Sequence, residues 1–193
     1  MRIVVRRFAV LMSCLAAIGC LPMRISGYRP AGPGILESTQ CLGGIEDRLR
    51  IAAPHGIAIY LRATLDEPEQ VVSLDVYLTV PAGTTARWSS DRLLVRQAEP
   101  PLTREIMITK ITAPGPRELA PLAELAGSAD ESSASYSLWL TPAGAGTHAR
   151  SGLAATPQFT VELPALTVEG ERFEPGPITF QSYREWGVVT CVQ

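Results

Sequence analysis

Residues 57–80, IAIYLRATLDEPEQVVSLDVYLTV, decide the fold class of this chain. Apolar side chains occupy alternate positions in both halves of the stretch: Ile57, Ile59, Leu61, Ala63 and Leu65, then Val72, Leu74, Val76, Leu78 and Val80. A period of two is typical of a β-strand with one buried face. Residues 66–69, Asp-Glu-Pro-Glu, form a polar sequence with a proline, which favours a turn. The stretch therefore predicts a β-hairpin.

Similar alternation begins near Arg48 and continues toward the C-terminus. It predicts further strands at 85–89, 92–97, 104–112, 135–141, 157–163, 166–169, 177–182 and 186–192. A strand with one apolar face needs a second apolar layer, which a chain with so little helical pattern supplies as another sheet. We therefore predict an all-β domain built as an antiparallel two-sheet sandwich. At the level of architecture alone, this resembles immunoglobulin-like and fibronectin-type sandwiches.

Two segments interrupt the strand pattern. Residues 113–134 open with Pro-Gly-Pro and contain an Ala/Leu-rich stretch, 118–126, that favours two turns of helix despite Pro121. Residues 142–156 are rich in Gly and Ala and predict a long flexible loop. Loops on a rigid scaffold often carry recognition, so both segments are candidate contact surfaces. The three tryptophans, at positions 88, 139 and 186, are each expected to be packing residues.

The N-terminal residues have the pattern of an export signal. Three arginines, at positions 2, 6 and 7, precede an apolar run from Phe8 to Gly19. This run of twelve residues is too short to cross a hydrocarbon core of about 30 Å as a helix. Residues 1–19 are therefore expected to be a signal peptide.

The end of this segment, Leu15-Ala16-Ala17-Ile18-Gly19-Cys20, resembles the lipobox of bacterial lipoprotein precursors. The resemblance implies that the thiol of Cys20 carries a lipid and that Cys20 becomes the first mature residue. Leu21 follows instead of Asp, which by resemblance to lipoprotein sorting favours the periplasmic face of the outer membrane. Cys14 is a competing acceptor, with a shorter apolar run before it. Ordinary secretion is the alternative, since Ala17 and Gly19 also suit the general signal peptidase.

The mature chain then divides into a tether and one domain. Residues 20–40 contain several prolines and glycines without a sustained apolar period, so they predict a flexible tether. Residues 41–193 are long enough for a single domain with its own core. Of the four cysteines, Cys41 and Cys191 remain after export, and an oxidising compartment favours a disulfide between them.

Charge excludes nucleic-acid binding as a function class. Without the three arginines of residues 1–19, the chain has 14 basic and 19 acidic residues, a formal charge of −5. Its basic residues are scattered, and Lys110 is the only lysine. Nucleic-acid binding needs clustered cations that displace counterions from phosphates.

No motif in the sequence points to catalysis, a metal or a cofactor. The Gly-x-Ser-x-Gly nucleophile pattern is absent, and the only histidines, His55 and His148, lie in turn-like and loop-like segments. His148 near Ser151 is the best available nucleophile and base pair, but a mobile loop holds catalytic geometry poorly. Two distant histidines do not make a zinc site, and the acidic clusters at 66–69 and 130–131 lack the spacing of a calcium loop.

These observations predict a non-enzymatic, lipid-anchored envelope protein whose domain binds a periplasmic protein partner. Two alternatives stay open at this point. One is an envelope hydrolase with a non-standard site. The other is a structural component of an envelope assembly, which adds an edge strand to a partner's sheet.

Overall fold

The computed structural model describes residues 22–38, 42–43, 45–115, 117–128, 130–142 and 153–189. Apart from one 3₁₀ turn at Pro54–Gly56, the regular structure of this part is all strand. The strands are β1 (Pro22–Ala31), β2 (Ile35–Ser38), β3 (Leu42–Gly43), β4 (Glu46–Ala52), β5 (Ala58–Asp66), β6 (Val71–Pro81), β7 (Thr85–Trp88), β8 (Arg92–Gln97), β9 (Leu102–Ala113), β10 (Arg117–Leu119), β11 (Leu125–Ala126), β12 (Ser133–Pro142), β13 (Leu153–Ala154), β14 (Gln158–Glu162), β15 (Leu166–Val168), β16 (Glu171–Phe173) and β17 (Pro177–Val189).

The predicted hairpin is confirmed. Strands β5 and β6 pair antiparallel over the whole of β5, from Ala58 opposite Thr79 to Asp66 opposite Val71. The apolar faces of both strands point inward: nine of the ten alternating side chains are buried, and Leu65 packs partly buried against them. The sequence period thus identifies the two central strands of the fold and the direction in which they face.

A large antiparallel sheet curls until it is nearly closed. Its strand order is β1-β17-β14-β8-β9-β12-β6-β5-β4-β2, with β3, β10 and β13 paired at its margins. Although β1 and β2 lie at opposite ends of this order, only residues 32–34 separate them in the chain. Because this short connection joins the two edge strands, the sheet must bend until its edges come close together. Accordingly, β1 packs beside β4 and β5. The result is a barrel-like sheet.

A second, smaller sheet shares the same core. Its order is β11-β7-β15-β16, and all of the pairs are antiparallel. Trp88 of β7 is buried among core residues contributed by the large sheet, as the sequence predicted. The all-β prediction and the prediction of two antiparallel sheets are therefore confirmed. The architecture is not clearly an immunoglobulin-like sandwich, because one sheet dominates and bends back toward itself.

The expected tether is wrong over residues 22–38. Strand β1 pairs with β17 at ten consecutive positions, and β2 pairs with β4. Tyr28 is only 1% exposed, and its hydroxyl lies 2.8 Å from the carbonyl oxygen of Thr156. The folded domain therefore begins by residue 22 and not at residue 41, because pairing with the end of the chain orders a segment whose own composition resembles a linker.

Two further expectations need correction. Residues 117–126 form two short strands, β10 and β11, with turns between them, instead of the expected helix. Leu125 is fully buried against the second sheet, so tertiary packing overrides the local helical preference. The strands expected at 177–182 and 186–192 are one continuous strand, β17, as far as residue 189.

Candidate binding face

Most of the residues singled out for chemistry lie outside the described part of the structure. This applies to Cys14, Cys20, Cys41, Cys191, His148 and Ser151. His55 lies in the 3₁₀ turn with a φ of 56° and is exposed. Within the described ranges, no group of three or more His, Cys, Asp or Glu side chains is placed to hold a metal ion.

The pairing between β3 and β17 lies close in sequence to two of the cysteines. In the pairing of β3 with β17, Leu42 lies opposite Val189. Cys41 comes one residue before this pair in the chain, and Cys191 comes two residues after it. The chain segments that lead to the two thiols therefore run side by side.

Trp139 is exposed in the middle of the large sheet, beside a β-bulge. Its side chain is 55% exposed, so it is not the packing residue that the sequence predicted. Trp139 lies opposite Lys110, whereas the next residue, Leu140, lies opposite Ile108. The extra residue, Thr109, interrupts the alternation of β9, and neither Thr109 nor Lys110 is buried. Bulges re-aim side chains and are over-represented near functional sites.

The indole of Trp139 is held in place by neighbours on β9. Its Nε1 donates a hydrogen bond of 2.8 Å to Oγ1 of Thr112. The ammonium of Lys110 lies 4.5 Å from the centroid of the indole ring, within cation–π range. Lys110 also forms an ion pair with Glu118 of β10. An exposed tryptophan fixed in this way loses little conformational freedom when a partner covers it.

A stacked pair of tyrosines lies on the same outer surface. The rings of Tyr60 and Tyr77 are 4.6 Å apart and inclined by 10°. The guanidinium of Arg48 lies 5.2 Å from the Tyr60 ring centroid and donates a 2.7 Å hydrogen bond to the Tyr77 hydroxyl. Glu37 accepts a 2.6 Å bond from the same guanidinium. Burial raises the pKa of Tyr77, and the nearby charge of Arg48 opposes that effect.

Strand register joins the two groups into one surface. Tyr60 lies opposite Tyr77, Tyr77 opposite Ser137, and Ser137 opposite Thr112. Trp139 follows Ser137 by two residues, so it extends from the same face of β12. We call this surface the Trp139 face; it comprises Arg48, Tyr60, Arg62, Tyr77, Lys110, Thr112, Ser137 and Trp139.

The Trp139 face contains a hollow beside β12. Its volume is about 340 Å³, and it is lined by Arg48, Arg62, Asp75, Val76, Tyr77, Ser137 and Leu138. The Nε atom of Arg62 lies 2.8 Å from the buried carboxylate of Asp47. A hollow beside a fixed aromatic side chain can accept a protruding side chain of a partner.

The candidate contact surface therefore lies on strands, where the sequence suggested loops. Of the two segments expected to carry recognition, residues 113–134 contribute Glu118 to the support of Lys110. Residues 143–152 of the other lie outside the described part. The signal that could have revealed the face is the presence of Tyr60, Tyr77 and Trp139 at the outward positions of strands, where polar residues are usual.

Comparison with protein-family models, with curated proteins and with solved structures finds no match to this chain. Among the described residues, no helix has the length and apolar character needed to cross a membrane.

Proposed function

We propose that this chain is a lipid-anchored protein of the bacterial envelope, attached through Cys20 to the periplasmic face of the outer membrane, whose β domain binds a protein partner. The anchor is supported by the lipobox-like sequence and its basic flank. The proposed role of the domain is binding and not catalysis. The single observation that favours binding is the exposed indole of Trp139, held by Thr112 and Lys110 on a face that also carries tyrosine and arginine side chains.

The composition of the Trp139 face fits a protein-binding hot spot. Tryptophan, tyrosine and arginine are the residues most enriched where a few side chains carry most of the binding energy. Aromatic rings and arginine are also enriched across protein interfaces in general. Here Arg48, Arg62 and Tyr77 line a hollow. Glu37 forms an ion pair with Arg48, and Glu118 forms one with Lys110. A partner can therefore cover the face without burying those two charges unpaired.

We also propose that Cys41 and Cys191 form a disulfide. The support is the β3–β17 ladder, whose last described pair lies one residue from Cys41 and two residues from Cys191 along the chain. A bond there would join the residue before β3 to the segment that follows β17.

The anchor is tested by labelling cells with palmitate and fractionating the envelope. We expect label in the mature protein and none in the Cys20→Ala variant. An unlabelled mature protein that leaves the membrane fraction without detergent would refute the anchor. This experiment does not depend on any partner.

Partner binding is tested by placing a photo-crosslinking amino acid at Ser137, in the centre of the Trp139 face, in cells at native expression. The expected crosslinked species is lost on Trp139→Ala, whose cost at a hot spot is about 2 kcal/mol or more, roughly a 30-fold loss of affinity. Leu102→Ala is the control, because Leu102 is also an exposed apolar side chain but lies at the start of β9, outside the Trp139 face. A crosslink unaffected by Trp139→Ala, or lost equally in both variants, would contradict the proposal.

A further inference from the structure

Strands β1 and β17 run beyond the main body of the sheet as a ribbon. Strand β14 pairs with β17 only from Pro177 to Gln181. Beyond that point β17 pairs with β1 up to Val188, and with β3 at Val188 and Val189. The side chains of residues 184–186 are all exposed, so the alternation of buried and exposed positions ends there. We call residues 22–26 and their partners 184–188 the ribbon.

One face of the ribbon carries a tryptophan and two arginines. Trp186 is 75% exposed and lies directly opposite Arg24, which is also exposed. Arg184 precedes Trp186 by two residues and therefore shares its face. Among the described residues, neither arginine forms an ion pair with an acidic side chain. The neighbouring Glu185 is on the opposite face and pairs with Arg29 at 3.2 Å.

The ribbon is fixed to the body of the domain at its base. The hydroxyl of Ser26 donates a hydrogen bond to the carboxylate of Glu67, in the turn between β5 and β6. Two positions further on, Tyr28 is buried in the core. The orientation of the ribbon is therefore set by the domain.

The start of β1 brings this face close to the proposed lipid. Only Leu21 separates Cys20 from Pro22, so those two residues are at most about 7 Å apart. Arg24 and its partner Trp186 are two strand residues further on, roughly another 7 Å. The headgroup layer on each side of a bilayer is about 5–8 Å thick. With no tether between the lipid and the strand, the ribbon is held at the membrane surface.

We propose that the face formed by Arg24, Arg184 and Trp186 contacts the phospholipid headgroups of the membrane in which Cys20 is anchored. Tryptophan is enriched at membrane interfaces, where its ring lies at the headgroup level. Arginines near the surface are attracted to anionic lipids, and each one raises the equilibrium constant for docking about fivefold. This inference depends on the proposed lipid anchor and adds that the domain sits on the membrane in one fixed orientation.

The test is quenching of tryptophan fluorescence by brominated phospholipid. The acylated, full mature protein is reconstituted into vesicles of phosphatidylethanolamine and phosphatidylglycerol, and its association is verified by flotation. Trp139→Phe leaves Trp186 as the exposed reporter, and Trp186→Phe leaves Trp139. Both variants keep Trp88, which is buried and supplies the same background.

We expect bromolipid to quench the Trp139→Phe protein and to leave the Trp186→Phe protein unchanged. Flotation without quenching of Trp186 would overturn the inference while leaving the anchor intact. Failure to float would overturn the anchor, and the inference with it. Quenching that is equal in anionic vesicles and in neutral phosphatidylcholine vesicles would overturn the part assigned to Arg24 and Arg184.

Discussion

Tyr28 offers the sharpest test of the fold, because it lies in a segment whose sequence resembles a linker. Its ring is 1% exposed and lies 5.2 Å from that of Phe159 in an edge-to-face arrangement. Its hydroxyl donates to the Thr156 carbonyl oxygen at 2.8 Å and accepts from the Thr156 amide at 3.1 Å. Tyr28→Ala therefore removes a large core side chain, which costs about 3–5 kcal/mol of unfolding free energy.

Tyr28→Phe separates the hydroxyl from the ring. The ring stays in the core, but the buried amide and carbonyl of Thr156 lose this partner, at a cost of about 1–3 kcal/mol. Because a domain of this kind has a net stability of about 5–15 kcal/mol, both changes are measurable. Arg24→Ala on the same strand is the control, and we expect it to stay within about 0.5 kcal/mol of the native protein.

The assay is urea unfolding of the mature protein carrying Cys20→Ser, followed by circular dichroism and by tryptophan fluorescence. The expected order of stability is native, then Tyr28→Phe, then Tyr28→Ala. If Tyr28→Ala unfolds within about 0.5 kcal/mol of Arg24→Ala, residues 22–31 do not pack as described, and the position of β1 in the sheet is wrong.

Three further predictions concern stability. Burial raises the pKa of Tyr28 in the folded protein above its unfolded value near 10. The contribution of its neutral hydroxyl to folding stability is therefore complete below about pH 10 and is lost as pH rises through the folded pKa. Tyr28→Phe should flatten this alkaline decline in melting temperature. Non-reducing mass spectrometry should find no alkylatable thiol at Cys41 or Cys191, and replacing both by Ser should cost at most about 5 kcal/mol; two free thiols would discard the bond. Gly127→Ala should lower the urea midpoint, because a Cβ there would lie 1.7 Å from the backbone oxygen of Pro81; an unchanged midpoint would contradict that approach.

The hairpin of β5 and β6 could be predicted because the sequence features that specify it lie within the hairpin itself. Alternating side chains and a polar turn specify two strands and their buried faces without reference to the rest of the chain. Strand β1 could not be predicted in this way. Its sequence contains Pro22, Gly27 and Pro30, and its order comes from β17, whose paired residues lie 148 to 166 positions later in the chain. A Cβ at position 27 would lie 2.9 Å from the hydroxyl of Tyr183, so a larger residue there would require the Tyr183 side chain to shift.

The Trp139 face was only partly predictable for a related reason. Tyr60 and Tyr77 occupy outward positions that the sequence period already identifies. Their stacking depends on the register of β5 against β6, and their connection to Trp139 depends on β12 pairing with β6. The bulge at Thr109 has no recognisable sequence signal, yet it decides which side chains of β9 surround the indole.

The pairing of β1 with β17 has a consequence for biogenesis. Because these are the first and last strands among the described residues, β1 lacks its partner until the residues of β17 have been synthesised. Before β17 is present, β1 is unpaired and is exposed to aggregation and to proteases. Chaperones that hold unfinished chains therefore have their greatest effect on this protein before β17 arrives, and truncations near the C-terminus should be cleared more rapidly than equally short deletions elsewhere.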